Sequence, residues 1–258
     1  MNSKIKQLLK KKNKTKIICL TSYSKNISEI LDKYSDIILV GDSLGSVLYS
    51  YDTTKKVNLE MIIEHSKSVR QGVKKSLMVV DMPYNTYRNK KEALKNAKKI
   101  IKYSKADAVK LEGGKKIIKI IEFLRQNKVN VMGHLGILPQ SHKGKFRYKG
   151  KTKLERKNLL ADALLLQKNG VFSIVLECIE TNLAKEITNK LKIPTIGIGS
   201  SVNCDGQVLV TDDLIGLNLT SIKFVKTFYN IRKHIGIAAK RFRQEVKKRK
   251  YPSSKFSY

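Results

Sequence analysis

The sequence predicts a (β/α)8 TIM barrel, an α/β fold, in a single domain. Three observations support this fold class: eight short apolar runs within 258 residues, amphipathic stretches between most of them, and a hydrophobic content of 41%. Runs rich in Val, Ile and Leu that are apolar on both faces are typical of buried parallel strands. Alternating strands and helices imply right-handed crossovers, and eight such units close into a barrel.

The elements follow one another along the chain with one irregular region. Residues 1–14 are charged and lack the apolar core of a secretory signal, so we interpret them as a short first helix. Little room separates the last two strands, and the basic stretch from about 221 to 249 is interpreted as a helical tail of the same domain, residues 1–258. The predicted strands cover 17–23, 36–42, 77–83, 108–114, 130–136, 174–179, 195–199 and 207–211, and the predicted helices 26–34, 58–72, 90–104, 115–126, 153–168 and 181–190.

The chain is strongly basic. Lys and Arg number 53 against 21 Asp and Glu, a formal net charge of +32. Only nine of the basic residues are Arg, and the 44 Lys are spread along the whole chain. Specific nucleic-acid recognition tends to use Arg and a charge clustered on one face. We therefore favour solvated surface lysine over specific nucleic-acid binding, and keep a basic polyanion-binding protein as an alternative function.

The cellular compartment is inferred from the cysteines and the apolar runs. Cys19, Cys178 and Cys204 have no paired spacing, which indicates reduced thiols in a cytoplasmic protein. The longest apolar runs have the length of strands, so no transmembrane helix and no membrane partner are expected.

Four predicted strands end in a carboxylate. Because the carboxyl ends of parallel strands meet at one rim of a barrel, these four side chains are expected to converge there. Carboxylate oxygens at such a rim suit a hard cation and proton transfer. The four residues are Asp42, Asp81, Glu112 and Glu177.

A magnesium site is the favoured interpretation of three of these acids. Residues two apart on a strand share a face, so Lys110 and Glu112 should both point to the barrel axis. A structural Lys–Glu pair remains open, and Asp42-Ser43 alone also fits a helix cap. With Asp42 and Asp81 at the same rim, an all-oxygen Mg²⁺ site explains the pattern better.

Glu177 is the candidate general base. It stands in an apolar run, Val175-Leu176-Glu177-Cys178, and apolar surroundings make a carboxylate a stronger base. His134 also lies at a strand end, but a lone histidine there is more often a hydrogen-bonded core residue. The chain contains no glycine-rich nucleotide loop, which argues against ATP or NAD chemistry.

Seven segments in order resemble the ketopantoate hydroxymethyltransferase family. No single segment is decisive, but seven in the family's order are very specific, and the resemblance covers the chain from about residue 16 to 252. They are LVGDSLG over 39–45, DMPY over 81–84, VKLEGG over 109–114, GHLGILPQ over 133–140, VLEC over 175–178, IPTIGIG over 193–199 and CDGQVLV over 204–210.

The resemblance implies a barrel of the phosphoenolpyruvate/pyruvate-binding type, usually a homo-oligomer and often a decamer. It implies transfer of a one-carbon unit from 5,10-methylenetetrahydrofolate to 3-methyl-2-oxobutanoate, which gives 2-dehydropantoate for pantothenate and coenzyme A synthesis. By position, Asp42 and Asp81 match Mg²⁺ ligands, and Glu112 matches a third acidic residue acting directly or through water. Ser43 and Lys110, together with the two aspartates, match substrate-binding positions. Glu177 matches the proton acceptor.

The chain departs from the family pattern in loops and in the tail. The altered stretches are residues 143–150, residues 200–202, Ser24, and Lys255-Phe256 near the C-terminus. These changes bear on folate binding, whereas the metal and base positions are intact. The alternative enzyme is another Mg²⁺-dependent barrel acting on 2-oxo acid enolates, such as an isocitrate-lyase-like or phosphonomutase-like protein.

Overall fold

Eight parallel strands form a closed barrel in the order of the sequence, which confirms the predicted fold. The structure is a computed structural model that describes residues 2–141, 147–218 and 222–258. Every strand pairs in parallel with its sequence neighbours, and the last pairs with the first. The strands are β1 Ile17–Thr21, β2 Ile37–Val40, β3 Leu77–Asp81, β4 Ala108–Glu112, β5 Val131–Gly136, β6 Ser173–Glu177, β7 Thr195–Ile198 and β8 Gly206–Leu209.

Helices lie between most consecutive strands. Several begin close to the predicted residue because an N-cap side chain marks the start: Asn58, Asn89 and Thr152 each accept a hydrogen bond from the N–H three residues on. The helices are α1 Ser3–Lys10, α2 Lys25–Leu31, α3 Leu44–Tyr49, α4 Leu59–Gly72, α5 Lys90–Ser104, α6 Ile118–Gln126, α7 Lys153–Lys168, α8 Thr181–Lys190, α9 Thr211–Leu214 and α10 Ile231–Lys247, with 3-10 turns at Thr54–Lys56, Lys115–Ile117 and Ser254–Phe256.

The barrel core consists of alternate residues of the strands. Ile17 and Cys19 of β1 and Leu77 and Val79 of β3 belong to one buried apolar cluster with residues of the other strands. Ile5 and Leu8 of α1 join the same cluster, with Ile5 fully buried. The first helix therefore closes the amino-terminal end of the barrel and leaves the carboxyl ends of the strands to carry the site.

The buried Asp205 carboxylate connects several segments at the amino-terminal end of the barrel. The Lys12 Nζ lies 2.7 Å from its Oδ2, and both side chains are buried. The Asn13 and Thr195 N–H groups donate to the same carboxylate. The Asp205 carboxylate thus joins three segments: the one before β1, the start of β7 and the one before β8. It is paired and hydrogen-bonded, which offsets the cost of burying its charge.

The seven residues between β7 and β8 contain no helix, which agrees with the little room expected there. The chain divides into two compact units, residues 1–210 and 211–258, and the one-domain assignment stays a prediction. In the second unit α10 begins at Ile231, later than the predicted helical stretch from 221, after Asn230 caps it through the Lys233 N–H. None of the described helices is both long and apolar enough to cross a membrane.

Candidate active site

The register of β3, β4 and β5 brings four polar side chains together. Asp81 is the neighbour of Lys110 across one strand pair, and Glu112 is the neighbour of His134 across the next. All four are buried. The Lys110 Nζ lies 3.2 Å from Asp81 Oδ1 and 3.3 Å from His134 Nδ1. The prediction that Lys110 and Glu112 share one face fits these contacts.

Asp42 joins this group from the turn after β2. Its N–H donates to Asp81 Oδ2 at 3.1 Å, so the two carboxylates are neighbours. Gly41 leaves room for the Ser43 hydroxyl, because a Cβ there would lie 2.9 Å from Ser43 Oγ. Ser43 Oγ lies 2.8 Å from the hydroxyl of Tyr23, which comes from the segment after β1.

The three acids Asp42, Asp81 and Glu112 all interact electrostatically with the single ammonium of Lys110. Burial, followed by repulsion from Asp81 and Glu112, raises the pKa of Asp42 to about 8. Burial also raises the pKa of Asp81, although the Lys110 ammonium opposes this. For Lys110, burial alone would lower the pKa, but Asp81, Glu112 and Asp42 outweigh it and raise the pKa above its ordinary value. An additional cation would relieve this repulsion.

Glu177 meets the cluster through His134. His134 Nε2 lies 3.1 Å from Glu177 Oε2, and His134 Nδ1 lies 3.6 Å from Glu112 Oε1. Burial and the Lys110 charge act to lower the pKa of His134, yet Glu112 and Glu177 outweigh both and raise it to about 9. The sequence predicts wholly apolar surroundings for Glu177, and this is wrong: its carboxylate contacts His134, and the Glu177 side chain is 18% exposed.

Gly136 allows β5 and β6 to approach at this point. It has a φ of +104°, and a Cβ there would collide with the Glu177 carbonyl. The Ile137 N–H donates to that same carbonyl at 2.9 Å. The backbone of Glu177 is thus fixed by its neighbour in the barrel, and the adjacent Cys178 takes a positive φ of 49°.

The three candidate metal acids lie in one buried cluster but do not form a complete cage. Within the described ranges, no group of three or more His, Cys, Asp or Glu side chains is placed to hold one metal ion. The carboxylates nevertheless supply hard oxygen atoms, and Asp81 Oδ1 is buried against the Lys110 ammonium at 3.2 Å. Magnesium commonly uses one or two carboxylates and keeps several waters, so these residues fit Mg²⁺ with Glu112 acting through water.

Two side chains that the sequence pattern does not indicate also belong to the site: Gln140 contacts the acids, and Tyr87 contacts Gln140. Gln140 Nε2 donates to Asp42 Oδ2 at 2.8 Å, and the Gln140 N–H donates to Glu112 Oε2 at 3.1 Å. The Tyr87 hydroxyl donates to Gln140 Oε1. Gln140 stands in one of the seven resembling segments, which was the available signal, whereas Tyr87 lies in a loop without a distinctive pattern.

A closed parallel barrel with buried carboxylates, a lysine and a histidine at the carboxyl ends of its strands defines a (β/α)8-barrel enzyme. The model of the ketopantoate hydroxymethyltransferase family matches residues 2–254. The chain therefore belongs to the ketopantoate hydroxymethyltransferase family and is a transferase, which confirms the resemblance described above.

Curated relatives agree with this assignment. A 3-methyl-2-oxobutanoate hydroxymethyltransferase of Pelagibacter ubique is 66% identical over 258 residues and is covered completely, as is this chain. One of Helicobacter pylori, with the same name, is 41% identical, covering 98% of this chain and 95% of the relative.

Solved structures with little sequence identity share the fold. A phosphonopyruvate hydrolase crystallised with oxalate and Mg²⁺ has a TM-score of 0.63 at 10% identity, over 99% of this chain and 93% of its own. A 2,3-dimethylmalate lyase has a TM-score of 0.58 at 12% identity, over 98% and 86%. These similarities show the barrel fold alone.

Proposed function

We propose that this chain transfers a one-carbon unit from 5,10-methylenetetrahydrofolate to 3-methyl-2-oxobutanoate and so forms 2-dehydropantoate for pantothenate and coenzyme A synthesis. The observation that carries the proposal is the excess of buried carboxylate around Lys110, next to Glu177. The 66% identical relative of the same name supports the choice of substrate.

Asp42 and Asp81 would hold Mg²⁺ directly, and Glu112 would hold it through water. The hard oxygen atoms of these carboxyl groups and the mutual repulsion within the cluster support this assignment. A bound Mg²⁺ supplies Lewis-acid polarisation of the 2-oxo group of the substrate. An unactivated C–H next to a ketone is too weak an acid for a carboxylate alone.

The other candidate residues would bind the substrate or transfer its proton. Ser43 and Lys110, with the two aspartates, would bind the 2-oxo acid, and the Lys110 ammonium would stabilise negative charge on the keto oxygen. A Glu177 oxygen would accept the proton from C3, and the C–H electron pair moves toward the keto group. C3 of the resulting enolate would then bond to the one-carbon unit of the folate. Both C–N bonds to that carbon break, water supplies the hydroxyl oxygen of the product, and the two folate nitrogens take up the C3 proton and one proton of that water as tetrahydrofolate leaves.

Deuterium exchange at C3 of 3-methyl-2-oxobutanoate, with Mg²⁺ and without folate, tests the metal and the base together. We expect exchange by the wild type, loss of exchange and of turnover in Asp81→Asn, and loss of exchange with retained 2-oxo acid binding in Glu177→Gln. Glu64→Gln is the matched control, because Glu64 is an exposed partner of Lys67.

Two outcomes would contradict the proposal. Carbon–carbon cleavage of a 2-oxo acid derivative without folate would favour an isocitrate-lyase-like or phosphonomutase-like enzyme. Full activity of Asp81→Asn, combined with nanomolar nucleic-acid binding at physiological salt, would favour a basic polyanion-binding protein.

We also propose a cytoplasmic homo-oligomer, with a decamer as the expectation from the family resemblance. The three cysteines are free thiols, which supports a reducing compartment. Light scattering on the purified full chain would measure the mass of the assembly, and a monomer would contradict the proposal.

A further inference from the structure

Gln140 contacts two carboxylates of the candidate metal site at once. Its side-chain Nε2 lies 2.8 Å from Asp42 Oδ2, while its backbone nitrogen lies 3.1 Å from Glu112 Oε2. The residue is buried, with 2% exposure. One residue of the segment after β5 therefore connects the turn after β2 to the end of β4.

The orientation of the Gln140 amide is determined by its neighbours. The Met82 carbonyl lies 3.0 Å away and can only accept a hydrogen bond, so the NH₂ group must face it. The Tyr87 hydroxyl then donates to the amide oxygen. In this orientation the second amide hydrogen is directed to Asp42, and a reversed amide would place an oxygen against that carboxylate.

We propose that Gln140, oriented by Tyr87, is a positioning residue that holds Asp42 and Glu112 in place for a divalent cation. This inference rests on the metal site of the proposed function. Each carboxylate gives one oxygen to Gln140. The second oxygen of Asp42 would serve the cation, and that of Glu112, which faces His134 at 3.6 Å, would serve its water. Residues that orient metal ligands in this way commonly change metal affinity by about 10- to 100-fold when they are replaced.

A buried glutamine could also serve only to anchor its loop. A loop anchor lowers thermal stability but leaves the affinity of the folded protein for a metal ion unchanged. Metal affinity therefore separates the two roles. Mn²⁺ is a suitable probe, because it prefers the same oxygen ligands and octahedral geometry as Mg²⁺.

The experiment is calorimetric titration of Mn²⁺ into metal-free full-length protein without substrate. We expect Gln140→Ala to weaken Mn²⁺ binding by about 10- to 100-fold. Tyr87→Phe should weaken it less, because the donor remains but its orientation is lost. Because Tyr87 acts through Gln140, Tyr87→Phe should have no further effect in the Gln140→Ala background.

Matched controls are available on the surface. Gln126→Ala at the end of α6 and Tyr103→Phe on α5 remove the same groups from exposed positions, and both should bind Mn²⁺ like the wild type. If Gln140→Ala does not fold, Gln140→Asn, with its amide one methylene short of Asp42, and Tyr87→Phe carry the test.

The outcomes separate this inference from the proposed function. Wild-type affinity in the folded Gln140 variant, with only a lower melting temperature, would overturn the positioning role and leave the metal site standing. Absence of Mn²⁺ and Mg²⁺ binding by the wild type would overturn the metal site itself and the positioning role with it. Independent, additive losses from the two substitutions would overturn the role of Tyr87.

Discussion

His134 connects the candidate metal acids to the candidate base. One ring nitrogen faces Glu112 and Lys110, and the other faces Glu177. Such a residue can set the position of the base relative to the substrate without reacting itself. The barrel register explains why it is well placed, since β5 lies between the strands that carry the two glutamates.

Replacing His134 should impair proton removal. We expect His134→Gln to lower the rate of C3 deuterium exchange by about 10- to 100-fold, because the partner that orients both glutamates is lost. Exchange monitored by proton NMR with Mg²⁺ would measure this. The control is His234→Gln, at an exposed histidine of α10, which should exchange at the wild-type rate. A His134→Gln variant with full exchange would refute the connection.

Residues at strand ends were the predictable part of the site. Asp81, Lys110 and Glu112 follow from the pattern of apolar runs, because register places neighbouring strand ends together. Gln140 and Tyr87 lie in loops, and loop conformation depends on contacts that no periodicity records. The sequence alone gives His134 no partner, and its role becomes visible only through its short distances to Glu112 and Glu177.

At the scale of elements, Asp32 joins two βα units. It stands at the end of α2, and its carboxylate accepts hydrogen bonds from the N–H groups of Lys74, Lys75 and Ser76 in the turn before β3. Burial alone would raise the pKa of Asp32, but these backbone donors together outweigh it and keep the pKa below its ordinary value. The contact also explains why α2 ends at Leu31, earlier than predicted.

The Asp32 contact should make stability depend on pH. Because its pKa is lower in the folded state, its contribution is present above the unfolded value of about 4 and is lost as the pH falls through the folded value. We expect Asp32→Asn to lower the free energy of unfolding by about 1–3 kcal/mol at neutral pH. Urea unfolding should show this difference shrinking below about pH 4. Glu64→Gln, at an exposed ion pair, should show no such difference.

The first helix should contribute stability without affecting turnover. Ile5 is fully buried in the barrel cluster, so Ile5→Ala should lower the free energy of unfolding by about 2–5 kcal/mol. The exchange rate per folded molecule should stay unchanged, because α1 lies at the opposite end from the site. Ile30→Ala removes the same side chain from an exposed position on α2 and serves as the control. Loss of exchange in folded Ile5→Ala would contradict this separation.

Element order was predictable because hydrophobic runs and capping residues mark it directly. β3 and β4 begin where expected, and each ends two residues early, where the chain turns into the site. The basic tail was harder to predict, since lysine-rich sequence looks helical whether or not it packs. Its helix begins only at Ile231.

At the scale of the whole molecule, the formal net charge of +32 determines how the protein binds polyanions. We expect weak, sequence-independent binding to duplex DNA at low salt that disappears between about 50 and 200 mM salt, because counterion release drives it. Fluorescence anisotropy with two unrelated duplexes would measure this. Persistent binding at physiological salt, or a preference between the duplexes, would contradict surface lysine as the explanation.

The buried Lys12–Asp205 pair lies at the amino-terminal end of the barrel, and the candidate site lies at the carboxyl ends of its strands. Substitutions at one end should therefore affect stability independently of substitutions at the other, since changes in unfolding free energy at sites without shared partners tend to add. A lineage carrying this chain could change residues around the candidate site while the amino-terminal end of the barrel keeps the tertiary structure intact. Because of this separation, substitutions that alter the chemistry need not lower the stability of the barrel.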